Sequence, residues 1–344
     1  MDNQNIIISR IESAISRIGL DLSGQTVLTE AASGPYISTP IIAALAGASC
    51  VYAVTRDSEW GTAEDICRAT RNLARRLGVN SRIELSTKGA EEFASSADVV
   101  TNLGFVRPIS CNIIERLPRD SAIGLMWEPW ELRQQDIDLS TCIRRNIPVI
   151  GTNEHHPDVA TFRFVGILAL KLLLEVEIEV QGLKLLVIGS NPFGSACVDT
   201  LSSVGALVTH FDPTKTWPPA CDNQKVKLAD AIVVVEHRFA GMLLGESISQ
   251  TLTSIIDRGI PVIHICGLVD AQFLSSRKCI KHPLKSVPFG YMTVTTAHVG
   301  LKPVVDLHTA GLMATSIVAR ARKAGASVED AIKAACKSGF GLSL

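Results

Sequence analysis

The chain has 344 residues, 47% of them apolar and 19% charged, with Lys and Arg (33) nearly balancing Asp and Glu (34). That length exceeds what one hydrophobic core organises, so two domains are expected, and the apolar content excludes intrinsic disorder as an account of the whole. No Lys/Arg block stands out, so the electrostatic footprint of a protein for nucleic acid or an anionic membrane surface is missing, and a small-molecule partner is expected instead.

Met1 to Gly19 intersperses Asp, Asn, Gln, Arg and Glu among its apolar residues. No stretch reaches the ~18 uninterrupted apolar positions of a spanning helix, so neither a signal peptide nor a membrane anchor is expected. The nine cysteines (50, 67, 111, 142, 197, 221, 266, 279, 336) are scattered singly with no CxxC pair. An odd set of this kind suits buried thiols in a reducing compartment better than a disulfide framework, which points to a cytoplasmic protein.

From Gly24 onward, short apolar runs alternate with helix-length segments, the pattern of a parallel sheet covered by helices on both faces. The predicted strands are Thr26–Thr29, Cys50–Val54, Ser81–Leu85, Asp98–Thr101, Ala122–Met126, Pro148–Ile150, Leu185–Ile188, Leu207–Phe211, Ala231–Val235, Pro261–Ile265 and Thr293–Thr295. Eleven strands are too many for one such unit and suit two. The expected fold class is therefore α/β, with two Rossmann-like, doubly wound parallel-sheet domains and an interdomain cleft. An internal echo agrees with this: Gly24 opens a strand followed by the turn 31–36, a helix and Gly47-Ala48, and 158 positions later Gly182 opens a strand followed by the turn 189–194, a helix and Gly205-Ala206.

Val159, Phe162, Val165, Leu168, Ala169, Leu172 and Leu173 fall at helical spacing, so 159–181 reads as a hinge helix and linker. The first domain, of Rossmann or flavodoxin type and expected to bind substrate, is placed at 1–158. It is completed by 302–344, where Val304 to Arg322 reads as a helix and Ser327 caps another ahead of Glu329-Asp330. Residues 182–301 are expected to form the dinucleotide-binding domain.

Gly189-Ser190-Asn191-Pro192-Phe193-Gly194 joins a strand to a helix and keeps the first and third glycines of GxGxxG. Such a turn aims backbone N–H groups and a helix dipole at an anion. Asn191 stands at the second glycine position and tolerates a left-handed backbone, while Asp212 ends the next strand, where a carboxylate accepts from a ribose and repels a 2′-phosphate. Gly189, Asn191, Pro192, Phe193, Gly194, Asp212 and Glu236 are the candidate cofactor-binding residues, with NAD expected ahead of NADP.

The run Asp136-Ile137-Asp138-Leu139, Arg144 to Val149, Thr152-Asn153 and Asp158-Val159-Ala160 is similar to D-isomer-specific 2-hydroxyacid dehydrogenases. So are Gly182, the 189–194 turn, Ala229-Asp230-Ala231, Val262 to Asp270 and Thr296-Ala297-His298-Val299-Gly300. The resemblance spans roughly Ala97 to Leu312. It implies two Rossmann-like domains, NAD in the C-terminal one, a substrate in the cleft, and a homodimer. It also implies that His298, in the place of the family's Thr-Pro-His-hydrophobic-Gly histidine, exchanges a proton with the substrate oxygen, a task suited to imidazole near neutrality.

Two departures accompany the resemblance. The family's Arg-Gly pair, whose arginine clamps the substrate carboxylate, is Cys266-Gly267 here, and a thiol cannot form that bidentate clamp. No acidic residue lies between Asp270 and His298, where the family's His-orienting glutamate belongs.

Substitutes are expected from other strand ends, because ligands of open α/β sheets bind there. Arg238 follows one predicted strand. Polar clusters follow others: Glu30 with Ser33, Gly34 and Tyr36; Asn102 with Arg107; Trp127-Glu128-Pro129-Trp130-Glu131; and Asn153-Glu154-His155-His156. Arg107 is a candidate carboxylate clamp, and Glu128 or Glu154 a candidate support for His298. Catalytic candidates are thus His298, Glu128, Glu154, Arg107 and Arg238, and substrate-binding candidates are Glu30, Ser33, Gly34, Tyr36, Asn102, Trp127, Asn153 and His155. Adjacent His155 and His156 lack the spacing of a metal site, and no metal is expected.

The expected function is an NAD(P)-dependent oxidoreductase acting on a small carboxylated hydroxy, keto or amino metabolite, with His298 as acid–base. The alternatives are a lyase, cyclase or transferase on the same fold using the first-domain carboxylates, or a catalytically silent metabolite-binding paralogue.

Overall fold

Alternate residues of the central strands point to opposite faces of a sheet, and in a computed structural model both sets are covered. The structure describes residues 3–215, 217, 224–246, 248 and 250–344. The chain divides into two compact units, 1–160 with 300–344, and 161–299.

The first unit runs α1 (Asn3–Ile18), β1 (Thr26–Glu30), α2 (Ser38–Leu45), β2 (Cys50–Val54), α3 (Ala63–Arg76), β3 (Ile83–Ser86), β4 (Val99–Thr101), α4 (Cys111–Arg116), β5 (Ala122–Gly124), α5 (Leu139–Arg145) and β6 (Val149–Thr152). The second contains α6 (Arg163–Glu175), β7 (Lys184–Ile188), α7 (Phe193–Ser203), β8 (Leu207–Phe211), α8 (Gln224–Lys227), β9 (Ala231–Val235), β10 (Met242–Leu244), α9 (Gln250–Ile256), β11 (Val262–Cys266), β12 (Leu268–Val269), α10 (Ala271–Ser276) and β13 (Lys281–His282). The chain then returns to the first unit as α11 (Lys302–Lys323), α12 (Val328–Lys337) and β14 (Gly341–Ser343).

In the first unit the sheet order is β14-β6-β5-β4-β1-β2-β3, parallel except for β14, which pairs antiparallel to β6. Val27, Val51, Val99, Ala122 and Ile150 face one core with α1, α2 and α11. Their neighbours Leu28, Val100, Ile123 and Val149 face a second core with α4 and α5. The period-2 pattern that predicted the strands is therefore a division between two buried faces. α11 lies against the sheet where Gly124 has no side chain; a Cβ there would sit 1.9 Å from Thr315 Oγ1.

In the second unit the parallel order is β13-β11-β9-β7-β8, with β10 and β12 forming a separate pair. Leu185, Val187, Val233, Val235, Ile263 and Ile265 meet α6 and α7 on one face. Leu186, Ile188, Ile232, Val234 and Val262 meet α9 and α10 on the other. The order reverses between β1 and β4 in the first unit and between β7 and β9 in the second, and each reversal leaves a crevice beyond the strand ends.

The internal echo has a backbone counterpart. Gly24 and Gly182 adopt φ of +75° and +77° ahead of β1 and β7, and Gly47 and Gly205 adopt +93° and +88° ahead of β2 and β8. Such angles strain a residue with a side chain, which explains glycine at matched positions.

Several expectations change. Thr293–Thr295 is not a strand: Met292 makes a single bridge to Cys266, and Thr293 donates its N–H to Ile265 O at 2.8 Å and its hydroxyl to His264 O at 2.6 Å. β10, β12, β13 and β14 were not predicted because at two or three residues they carry no readable period. The helix expected from Val159 begins at Arg163; Val159 instead packs in the core of the first unit, and Ala160 turns the chain with φ +44°. Eight cysteines are free thiols, but not all are buried as expected: Cys111 is exposed and Cys50 and Cys336 are half-buried, while Cys221 lies outside the described residues. Among the described residues no helix is long and apolar enough to cross a membrane.

Candidate functional site

In the first unit, Glu30 closes β1 and Asn102 follows β4, so the two residues flank the reversal of strand order. Glu30 is 5% exposed and accepts the N–H of Phe105 at 2.7 Å. Burial raises its pKa, partly offset by that N–H and by the charges of Arg107 and Arg56. Asn102 is fully buried and accepts the N–H of Met126 at 2.8 Å, while its Nδ2 has no hydrogen-bond partner among the described residues.

The segment after β5 folds onto the end of β6. Glu128 accepts from Trp130 Nε1 at 2.7 Å and from the N–H of Glu154 at 3.3 Å, with His155 Nε2 4.0 Å away. Glu128 and Glu154 are both buried. Glu131 joins them: burial, then repulsion and a side-chain hydrogen bond from Glu154, raise its pKa well above the ordinary glutamate range. A carboxyl whose pKa is raised beside two others has the character a general acid requires.

Arg107 pairs with Asp136 at 3.0 Å, and Arg133 pairs with the same carboxylate at 2.9 Å. The two guanidinium groups that share this carboxylate lie against the Trp127 ring at 4.8 and 5.6 Å. Asn153 is committed to the fold, since its Nδ2 donates to Gly339 O and its N–H to Phe340 O, both at 2.8 Å, fixing the chain that leads into β14. Its Oδ1 accepts the N–H of exposed His155 at 3.1 Å. Ser33 and Gly34 start a short turn, and the Tyr36 ring lies 5.8 Å from that of His308. His308 is buried against Thr39 at 2.7 Å, and burial lowers its pKa to about 3.

In the second unit, β7 and α7 approach closely at the glycines of the turn. A Cβ on Gly189 would lie 2.5 Å from Val235 O, and one on Gly194 would lie 2.2 Å from Gly189 O. Ser190 and Gly194 of the turn have their donors engaged, Gly194 N–H with Ser190 O at 2.8 Å. Ser190 N–H and Oγ donate to the two oxygens of Glu236, each at 2.7 Å, and the N–H groups of Arg238 and Phe239 donate to Glu236 Oε1 at 2.5 and 2.8 Å. Pro192 has no N–H. The Phe193 ring is buried between Phe162 and His237, at centroid distances of 5.8 and 4.3 Å. The Arg238 side chain is exposed.

Asp212 is bound within its own loop, accepting from Thr214 N and Oγ1 at 3.0 and 2.6 Å and pairing with Lys215 at 3.5 Å. Burial raises its pKa, but the Thr214 hydrogen bonds and Lys215 outweigh this and hold it below the ordinary value. The residues at this turn therefore do not fit a diphosphate as they stand.

His298 lies in a single turn, Thr296–His298, with its side chain 37% exposed. Its Nε2 bonds Glu175 Oε1 at 2.8 Å, leaving Nδ1 as the nitrogen not engaged by Glu175. Glu175, the last residue of α6, also accepts from His282 Nε2 at 3.0 Å, and Lys171 Nζ donates to His298 O at 2.6 Å. Burial opposes ionisation of Glu175, but the two imidazoles and Lys171 prevail and lower its pKa. A carboxylate thus does bond His298, from a position that the residue spacing does not single out. Glu175 and His298 are 123 positions apart, and no local pattern announces the pair.

The fold defines a class: a two-unit, doubly wound α/β chain. Among solved structures it is similar to the A chain of dipicolinate synthase from Bacillus halodurans, with TM-score 0.55 and 11% identity over 84% of this chain and 96% of that one. It is also similar to the dipicolinate synthase A chain from Bacillus subtilis, with TM-score 0.52 and 12% identity over 91% and 99%. NAD-dependent formate dehydrogenase from Staphylococcus aureus in complex with NAD aligns at TM-score 0.48 and 11% identity over 88% and 95%. At these identities the likeness is one of fold. No protein-family model and no curated protein matches the sequence.

Proposed function

We propose that the chain is an oxidoreductase acting on a small carboxylated hydroxy, keto or amino metabolite, with His298 giving or taking the proton on the substrate oxygen. The His298–Glu175 hydrogen bond of 2.8 Å carries this reading. A carboxylate that accepts from one ring nitrogen fixes the tautomer and stabilises the imidazolium, so Nδ1 becomes the nitrogen that exchanges a proton. Lys171, by holding the His298 carbonyl, fixes the backbone of the turn. Arg107, a half-buried guanidinium beside Asp136, is the proposed carboxylate clamp. NAD is the proposed redox partner on the strength of the fold, and no contact to it is derived from the turn. A homodimer in the cytoplasm completes the proposal.

A second reading, a non-redox acid–base enzyme, is favoured by the Glu128, Glu131 and Glu154 cluster, in which the Glu131 pKa is raised, and by the occupied turn. The two are separated by following reduced-nicotinamide absorbance with a panel of small 2-keto acids. Turnover that falls about 10²- to 10⁴-fold in His298→Asn is expected, the range typical of a lost general acid–base. Wild-type protein that consumes neither NADH nor NADPH with any of them overturns the redox reading.

A further inference from the structure

We infer that Glu236 is a resident anion at the strand-order reversal of the second unit, accepting the hydrogen bonds a dinucleotide diphosphate would otherwise take and so opposing dinucleotide binding at that turn. The inference goes beyond the function proposed above, because it concerns the turn itself whatever the reaction.

The place is defined by topology. β7 and β9 are neighbours that lead away to opposite edges of the sheet, and the crevice beyond their ends is where open α/β sheets bind ligands. Ser190 lies just past the end of β7, and Glu236 is the first residue after β9.

The occupant is built in. Glu236 is fully buried and accepts four hydrogen bonds, from Ser190 N–H, Ser190 Oγ, Arg238 N–H and Phe239 N–H. It receives three backbone N–H donors, one from the turn ahead of α7 and two from the loop after β9, and such donors also hold bound phosphates. On its other side Gly267 makes room for it: a Cβ there would lie 3.2 Å from Glu236 Cβ.

The turn has also lost donors. Of positions 190 to 194, Ser190 gives its N–H to Glu236, Pro192 has none, and Gly194 gives its N–H to Ser190 O at 2.8 Å. A diphosphate brought to the turn would meet a buried carboxylate of like charge where attraction to N–H groups is needed, and like charges repel most strongly away from water. Entry requires Glu236 to surrender its hydrogen bonds, which keeps affinity low.

The test uses the full-length chain and calorimetric titration with ADP, which carries a diphosphate but no nicotinamide, and with NADH. Glu236→Ala is expected to bind both at least about tenfold more tightly than wild type, because a competing charge is gone and its donors are released. Formate is expected to raise the melting temperature of Glu236→Ala by refilling the space, and to leave wild type unmoved. Wild type that binds ADP as tightly as Glu236→Ala overturns the inference. Should the variant not fold, wild type decides alone: saturation by ADP at micromolar concentration overturns the inference, and none below millimolar supports it. ADP binding reports on the turn whatever the reaction, whereas the His298→Asn turnover assay reports on the function, so the two fail separately.

Discussion

Glu175 ends a helix that is otherwise mostly core, and its carboxylate gathers the imidazoles of His282 and His298. Replacing it with Gln keeps the shape and removes the charge that stabilises an imidazolium. Turnover is expected to fall roughly tenfold to a hundredfold with little change in KM, as for a positioning residue, and the acidic limb of the pH–rate profile is expected to move.

Glu131 titrates in the other direction. Burial and Glu154 raise the pKa of its carboxyl in the folded chain, whereas the unfolded chain ionises near pH ~4.3. The folded state then binds more protons, so its contribution to stability is complete below that pH and is lost as pH rises through the folded pKa. Glu131→Gln is expected to flatten this decline, measured as urea midpoints between pH 4 and 8; an unchanged slope would show that the carboxyl ionises freely. Arg107→Ala is expected to raise KM for an acidic substrate about tenfold or more, since the guanidinium proposed to hold the substrate carboxylate is gone. An unchanged KM removes Arg107 from the site.

Among the elements, the crossing of α6 and α7 depends on one missing side chain. A Cβ on Gly166 would come 2.2 Å from both Ala196 O and Thr200 Oγ1, and one of these is backbone that cannot swing away. Gly166→Ala is expected to cost about 1–3 kcal/mol through overpacking, read as a lower urea midpoint. The helical period of α6 was legible from its apolar spacing, but its start was not. Val159 continues the period while packing in the core of the first unit, and only the left-handed Ala160 breaks the run. The short strands β10, β12, β13 and β14 escaped for a related reason: they exist because a neighbour offers hydrogen bonds, not because their residues alternate.

For the whole molecule, the first unit is discontinuous, and α11 forms the middle of one of its cores through Val305, Ala310, Leu312, Ala314 and Val318. A chain ending at residue 299 is expected to lose the cooperative unfolding of the first unit and to yield proteolytic fragments from 1–160. The second unit, whose sheet and cores are formed within 161–299, is expected to keep its own transition. Survival of both transitions in calorimetry would contradict this reading of α11.

Amino-acid order alone determined the α/β class, most of the long strands and the two matched openings at Gly24 and Gly182, because those features rest on period-2 burial and backbone angles that act within a few residues. It also marked the polar strand ends, since charged groups beside apolar runs stand out locally. Folding decided which carboxylate meets His298 and what fills the 189–194 turn. Those partners lie 123 and 46 positions apart, and a contact made by sheet order and close packing leaves no trace in the spacing of neighbouring residues.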